Sequence, residues 1–284
     1  MNLEKAVRIM LLIILIFCSA YTDSINIGYI AKTTSNEVTG FQAIAQYISN
    51  KLSEITKTNV SNSIVVARSV KEMCEKIRLK KVDIYFDSPL PSLLVNNCGN
   101  SAAVLRQWKD GKSQYMSIIF VKKGNLMVLS DLYGKTIGFK DINSSSGYLL
   151  PRLEMQLKGF NFGKEGNIKK VFTYDNETTI VQVLRNKLDA GAMSLEDFEK
   201  YAGKDIGSFH ILHVTEAIPR RFVNLRRDTS TVILVNILQE MDKDVVGKTV
   251  LKKFGNTKKF DEIPLEHITT LWKLLPALME LPDE

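Results

Sequence analysis

Gly138-Phe-Lys-Asp-Ile-Asn-Ser-Ser-Ser-Gly-Tyr-Leu-Leu-Pro151 runs from the end of a short apolar strand directly into a helix. The strand is Thr136 to Phe139 and the helix is read over 147–158. Ser144, Ser145 and Ser146 are N-cap residue types, whose side-chain oxygens suit the free N–H groups of a first helical turn. Gly147 lets the backbone come close to a neighbour or ligand. Pro151 is tolerated because first-turn N–H groups have no intrahelical acceptor. Backbone donors, three hydroxyls and the positive end of a helix dipole thus converge on one point, which suits an oxyanion. An ordinary capped helix would use the same residues, so the loop alone does not choose between the two.

On either side the chain alternates strand and helix. Upstream, Ile25 to Ile30 reads as a strand. Residues 40–56 follow with helical spacing through Phe41, Ile44, Ile48 and Leu52. Ser63 to Ala67 is β-branched and reads as a strand, 69–80 as a helix, and Val82 to Phe86 as a third strand. Downstream, Tyr115 to Lys122 is a strong strand, and after the serine loop come strand 168–173, helix 177–187, strand 189–193 and helix 195–202. Such β-α-β alternation predicts parallel sheets with helices on their faces. Leu79-Lys-Lys-Val-Asp-Ile-Tyr-Phe86 is echoed by Leu184-Arg-Asn-Lys-Leu-Asp-Ala-Gly191, a helix end, a basic turn and a strand opening on Asp. The echo predicts two lobes of similar build, joined by crossovers near 113–120 and 211–223, with a ligand cleft between them. The expected boundaries are 21–114 with 221–284 for one lobe and 115–220 for the other. The tail reads as three helices over 228–241, 244–254 and 264–279.

The 284 residues are enough for two separate cores. With 45% hydrophobic and 24% charged residues, disordered and fibrous classes are excluded. The net charge of +7 favours anionic partners, but no run of five like charges occurs, so nucleic acid is not an expected partner. Lys5 and Arg8 precede the apolar run Ile9 to Phe17 and the small residues Ser19 and Ala20, the pattern of an export signal over 1–20. Acylation at Cys18 and an uncleaved anchor are the alternatives. Cys74 and Cys98 would remain in an oxidising compartment, where they could pair.

Asp141-Ile-Asn-Ser-Ser-Ser-Gly-Tyr-Leu-Leu-Pro-Arg152 resembles the Asp-Pro-x-Ser-[Ser/Thr]-Ser-Gly-Tyr-Leu-x-Pro signature of phosphate/phosphite/phosphonate-binding proteins of ABC transporters. Lys81-Val-Asp-Ile84, Tyr115-Met-Ser-Ile-Ile-Phe-Val121, Leu129-Ser-Asp-Leu-Tyr-Gly-Lys-Thr136 and Ile218-Pro219 resemble further segments of that family, in the family's order. The resemblance implies an α/β, two-lobed type II periplasmic-binding fold that closes on its ligand. It implies that Ser144, Ser145 and Ser146 hold phosphoryl oxygens beside Gly147, with Tyr115 donating from the crossover. It also implies an extracytoplasmic protein without cofactor that serves a membrane permease.

The departures bear on the pocket. Asn176 stands where the family usually has His, so a charge-assisted bond is replaced by an amide. Glu196 matches the carboxylate of phosphonate-specific members and could receive an ammonium. Arg221 replaces an Asp of those members and would repel an amine. Val70 and Asp87–Ser88 also differ from the family pattern. These changes motivate a second reading, in which the fold is kept but the partner is a membrane-bound sensor. Catalysis is not expected. His210 and His213 lie three apart on a strand and face opposite ways, and no base accompanies the serines.

Overall fold

The computed structural model describes residues 24–31, 36–124, 127–162 and 167–281. The expected export segment 1–20, with Cys18, lies outside the described residues. Strand β1 (Ser24–Ile30) leads to helix α1 (Asn36–Thr56), strand β2 (Ser61–Ala67), helix α2 (Val70–Arg78) and strand β3 (Ile84–Asp87). Helix α1 buries Phe41, Ile44, Ala45, Ile48 and Leu52, one face of a 3.6-residue period. Ser69 caps α2 by accepting from the N–H of Glu72. Helix α3 (Pro89–Gly99) and strand β4 (Ser101–Lys109) complete this half, and Asn100 turns between them in the left-handed region.

Strand β5 (Gln114–Tyr115) leaves the first half, and β6 (Ser117–Lys122) and β7 (Thr136–Phe139) begin the second. A π turn over Ser145–Leu149 opens helix α4 (Leu150–Leu157). Strand β8 (Lys169–Phe172), helix α5 (Asn176–Leu184), strand β9 (Ala190–Ser194), helix α6 (Leu195–Ala202) and strand β10 (Phe209–Val214) follow. At Gly191 an added Cβ would sit 2.6 Å from the Phe120 ring and 2.7 Å from the Thr179 methyl, so the bare backbone is what lets α5 close on the sheet. The chain returns through β11 (Ile218–Pro219) to β12 (Phe222–Arg226), helices α7 (Thr231–Gln239) and α8 (Val245–Lys253), strand β13 (Thr257–Glu262) and helix α9 (Leu265–Met279).

The strands form a six-stranded sheet, β13-β4-β12-β3-β1-β2, and a five-stranded sheet, β10-β6-β9-β7-β8. Each is mixed rather than parallel throughout. β1, β2 and β3 run parallel, as do β7, β8 and β9, while β12 is antiparallel to β3 and β6 to β9. β6 and β12 are the strands by which the chain enters the second half and re-enters the first. The expected all-helical tail needs the same correction, because Thr257–Glu262 is an edge strand on β4. The expected crossovers shrink to a two-residue ladder, with Ile218 opposite Tyr115 and Pro219 opposite Gln114.

Cys74 and Cys98 form a disulfide, Cα atoms 5.6 Å apart, that joins α2 to α3. One apolar cluster crosses from half to half, with Leu90 and Leu93 of α3, Tyr115, Ile218, the second half's Ile137 and Tyr148, and Leu271 and Leu275 of α9. Among the described residues no helix is long and apolar enough to cross a membrane.

Candidate functional site

The π turn sets the site's geometry. Ser144 Oγ accepts from the N–H of Gly147 at 3.1 Å, and the N–H of Leu149 donates to the Ser144 carbonyl at 2.9 Å, one residue wider than an α turn. Such widened turns recur where a backbone is shaped for function. The Gly147 carbonyl accepts from the N–H of Lys140 at 3.1 Å, folding the loop back on the end of β7. An added Cβ at Gly147 would meet Lys140 Cβ at 2.7 Å and Ser144 Oγ at 2.9 Å, so only glycine fits this close approach. Ser144 and Ser145 are buried and Ser146 is half-buried.

Ser145 is the meeting point of the two halves. Its Oγ accepts from the N–H of Leu90 at 3.2 Å, in the first turn of α3. It is also hydrogen-bonded to the Tyr115 side chain. The first turn of α3, from the first sheet's half, thus meets at Ser145 the π turn that opens α4 in the second, and a helix N-terminus carries a positive dipole end. Burial pushes the Tyr115 phenol well above its ordinary range, partly offset by the bond to Ser145 and by Arg220, so it is a neutral donor.

Glu196 opens α6 beside this cluster. Its Oε1 accepts from Arg220 Nη2 at 2.9 Å and lies 3.7 Å from Lys112 Nζ. The Arg220 guanidinium lies over the Tyr115 ring, 5.4 Å from its centroid. Asn176, buried at the start of α5, donates from Nδ2 to Asp197 Oδ2 at 2.9 Å, next in sequence to Glu196. Tyr115, the serine loop, Glu196 and Asn176 are thus gathered around one end of the second sheet. Arg221 belongs to the first half, with its guanidinium over Phe41 at 5.5 Å and Phe254 at 5.2 Å. In the same half Asp87 accepts from the Tyr85 hydroxyl at 2.6 Å and from the Ser88 N–H at 2.7 Å.

Arg220 and the α3 N-terminus are the residues sequence reasoning missed. β11 is two residues long, too short for periodicity to say which of Arg220 and Arg221 faces Tyr115. For α3 the signal was Ser-Pro at 88–89, an N-cap residue followed by proline at the first helical position. Among the described residues no three His, Cys, Asp or Glu side chains group as metal ligands. A cavity of about 490 Å³ opens elsewhere, between α1 and α7 around Tyr47, Lys51 and Ile237, and shares no lining residue with the serine loop.

Known proteins share this chain's family and fold. The family model described as the phosphonate periplasmic substrate-binding protein of ABC transporters matches residues 27–267. XAC2383 from Xanthomonas citri, solved bound to ATP, superposes with a TM-score of 0.81 at 21% identity, covering 91% of this chain and 98% of its own. PhnD1 from Prochlorococcus marinus, solved with methylphosphonate, gives 0.70 at 17% identity, over 91% and 99% of the two chains. The periplasmic aliphatic sulphonate binding protein SsuA from Escherichia coli gives 0.58 at 15% identity, over 92% and 88%. These likenesses establish the two-lobed type II periplasmic-binding fold.

Proposed function

The chain belongs to the periplasmic substrate-binding proteins of ABC phosphonate transporters, and from that premise we propose that it captures a small phosphorus oxyanion at the serine loop for delivery to a membrane permease. Proteins of this family bind and hand on a solute, and are not enzymes. The observation that carries the ligand class is the meeting at Ser145 of the first turn of α3, the π turn that opens α4 and the Tyr115 hydroxyl. Neutral hydroxyl and N–H donors of this kind hold an anion without introducing a full positive charge.

In this reading Ser144, Ser145, Ser146 and Gly147 seat the phosphoryl oxygens. Tyr115 donates from the hinge, Asn176 braces the floor through Asp197, and Glu196 and Arg221 shape the walls. Residues 21–114 with 221–284 and residues 115–220 are the two closing lobes, and 1–20 the export signal that places the protein outside the cytoplasm. Isothermal titration of ligand-stripped protein with phosphate, phosphite, methylphosphonate and methanesulfonate tests the ligand class. Saturable heat with a phosphorus ligand is expected. Heat with methanesulfonate alone would move the chain to the sulfonate binders.

A further inference from the structure

Two buried polar atoms beside Tyr115 lack a protein partner, Arg220 Nε and Glu196 Oε2. Arg220 is 9% exposed, so its remaining donor is not turned to bulk water. The other oxygen of Glu196 is already engaged by Arg220 Nη2 and approached by Lys112. The open donor and the open acceptor thus belong to one ion pair, and such buried groups cost free energy unless a bound group satisfies them. The neighbouring carboxylates are engaged. Asp87 accepts from Tyr85 and Ser88, and Asp197 accepts from Asn176.

We infer that Glu196 and Arg220 form a proton-reading pair, in which Glu196 Oε2 accepts from a P–OH group of the ligand and Arg220 Nε donates to an adjacent phosphoryl oxygen. The inference rests on the proposed oxyanion site and names its ligand as a phosphorus acid that still carries a proton. Tyr115 links the two parts of the site, since it is hydrogen-bonded to Ser145 and lies within electrostatic reach of Arg220, Asp87 and Glu196. A carboxylate oxygen facing an anion is repulsive unless a proton lies between them. Sulfonates keep no such proton near neutrality, so the pair excludes them although their shape fits the serine loop. An ammonium could also donate to Oε2, but Arg220 and Lys112 on the same carboxylate repel it.

The test is calorimetry on the full ligand-stripped protein with methylphosphonate, inorganic phosphate, methanesulfonate and 2-aminoethylphosphonate, from about pH 6 to about pH 9. Methylphosphonate loses its last proton over this range, whereas hydrogen phosphate keeps one. Methylphosphonate affinity is expected to fall about tenfold or more as pH rises, the worth of one bond to a charged group, while phosphate affinity falls less. Attraction of the added ligand charge alone predicts the opposite sign. In Glu196→Gln the fall should flatten and the gap to methanesulfonate narrow. Methanesulfonate binding as tightly as methylphosphonate to the unaltered protein would overturn the pair's role. So would a preference for 2-aminoethylphosphonate, or a pH profile that the substitution leaves in place. Absence of binding by every phosphorus ligand would instead sink the parent reading, and the pair's role with it.

Discussion

Ser145 Oγ, in the π turn of the second lobe, accepts a hydrogen bond at 3.2 Å from the backbone N–H of Leu90, in the first turn of α3 in the first lobe. Replacing Ser145 by Ala removes this inter-lobe bond and the partner of Tyr115 together. Oxyanion affinity is expected to weaken by about 1–3 kcal/mol, the range for a bond to a charged group. Titration calorimetry reads the loss, and unchanged affinity would remove the loop from the site.

Gly147→Ala probes the turn without touching a hydroxyl. The added methyl meets Lys140 Cβ and the Ser144 oxygen inside 3 Å. A cost of about 1–3 kcal/mol in stability is expected from this overpacking, with loss of ligand binding. Urea denaturation and titration measure the two. A variant unchanged in both would mean the loop relaxes freely.

Two lobes could be read because helix and strand periods alternate so regularly. Helix α6, over 195–202, was legible to the residue, and β7, over 136–139, likewise. β13 was not, because Thr-Lys-Lys-Phe-Asp-Glu is an edge strand dense in charge, and its pattern matches neither period well. α3 carries no charged residue and has most of its positions buried, so it has no polar face to betray a helix. The serine loop stood out from its composition, whereas its contact with Leu90 depends on how the lobes meet, which no local pattern encodes. Arg220 was hidden for the same reason, its neighbours lying on β5 and α6.

Reducing the Cys74–Cys98 disulfide frees a loop with a sequence separation of 24. The chain-entropy model gives a cost of about 3 kcal/mol. Thermal denaturation with and without reductant, and of Cys98→Ser, should show a matching loss. Because α3 carries Leu90 at its other end, ligand affinity of the reduced protein is a second readout. A melting temperature indifferent to reductant would contradict the stabilising role.

Stability is expected to fall at both ends of the pH scale. Burial, then the Asp87 carboxylate, pushes the Tyr85 phenol well above its ordinary 10.0, and burial does the same to Tyr115. The folded protein therefore keeps protons that the unfolded chain releases, so stability is intact below pH 10.0 and declines above it. On the acid side, burial and then Arg106 lower the pKa of His267 from 6.5. The unfolded chain takes up that proton first, so the His267 contribution is present above pH 6.5 and is lost as pH falls below it. Denaturant midpoints across pH, compared with Tyr85→Phe and His267→Gln, should show each slope flatten in its variant.

The two-residue ladder that pairs Tyr115 with Ile218 has a kinetic consequence. In the proposed binding cycle the phenol that holds the ligand is itself part of the axis about which the lobes would turn. Opening then displaces the donor, and losing the donor loosens the axis, so release of the ligand and separation of the lobes become a single event with one rate. Substitutions at Ile218, which need not touch ligand at all, should therefore alter residence time more than capture rate.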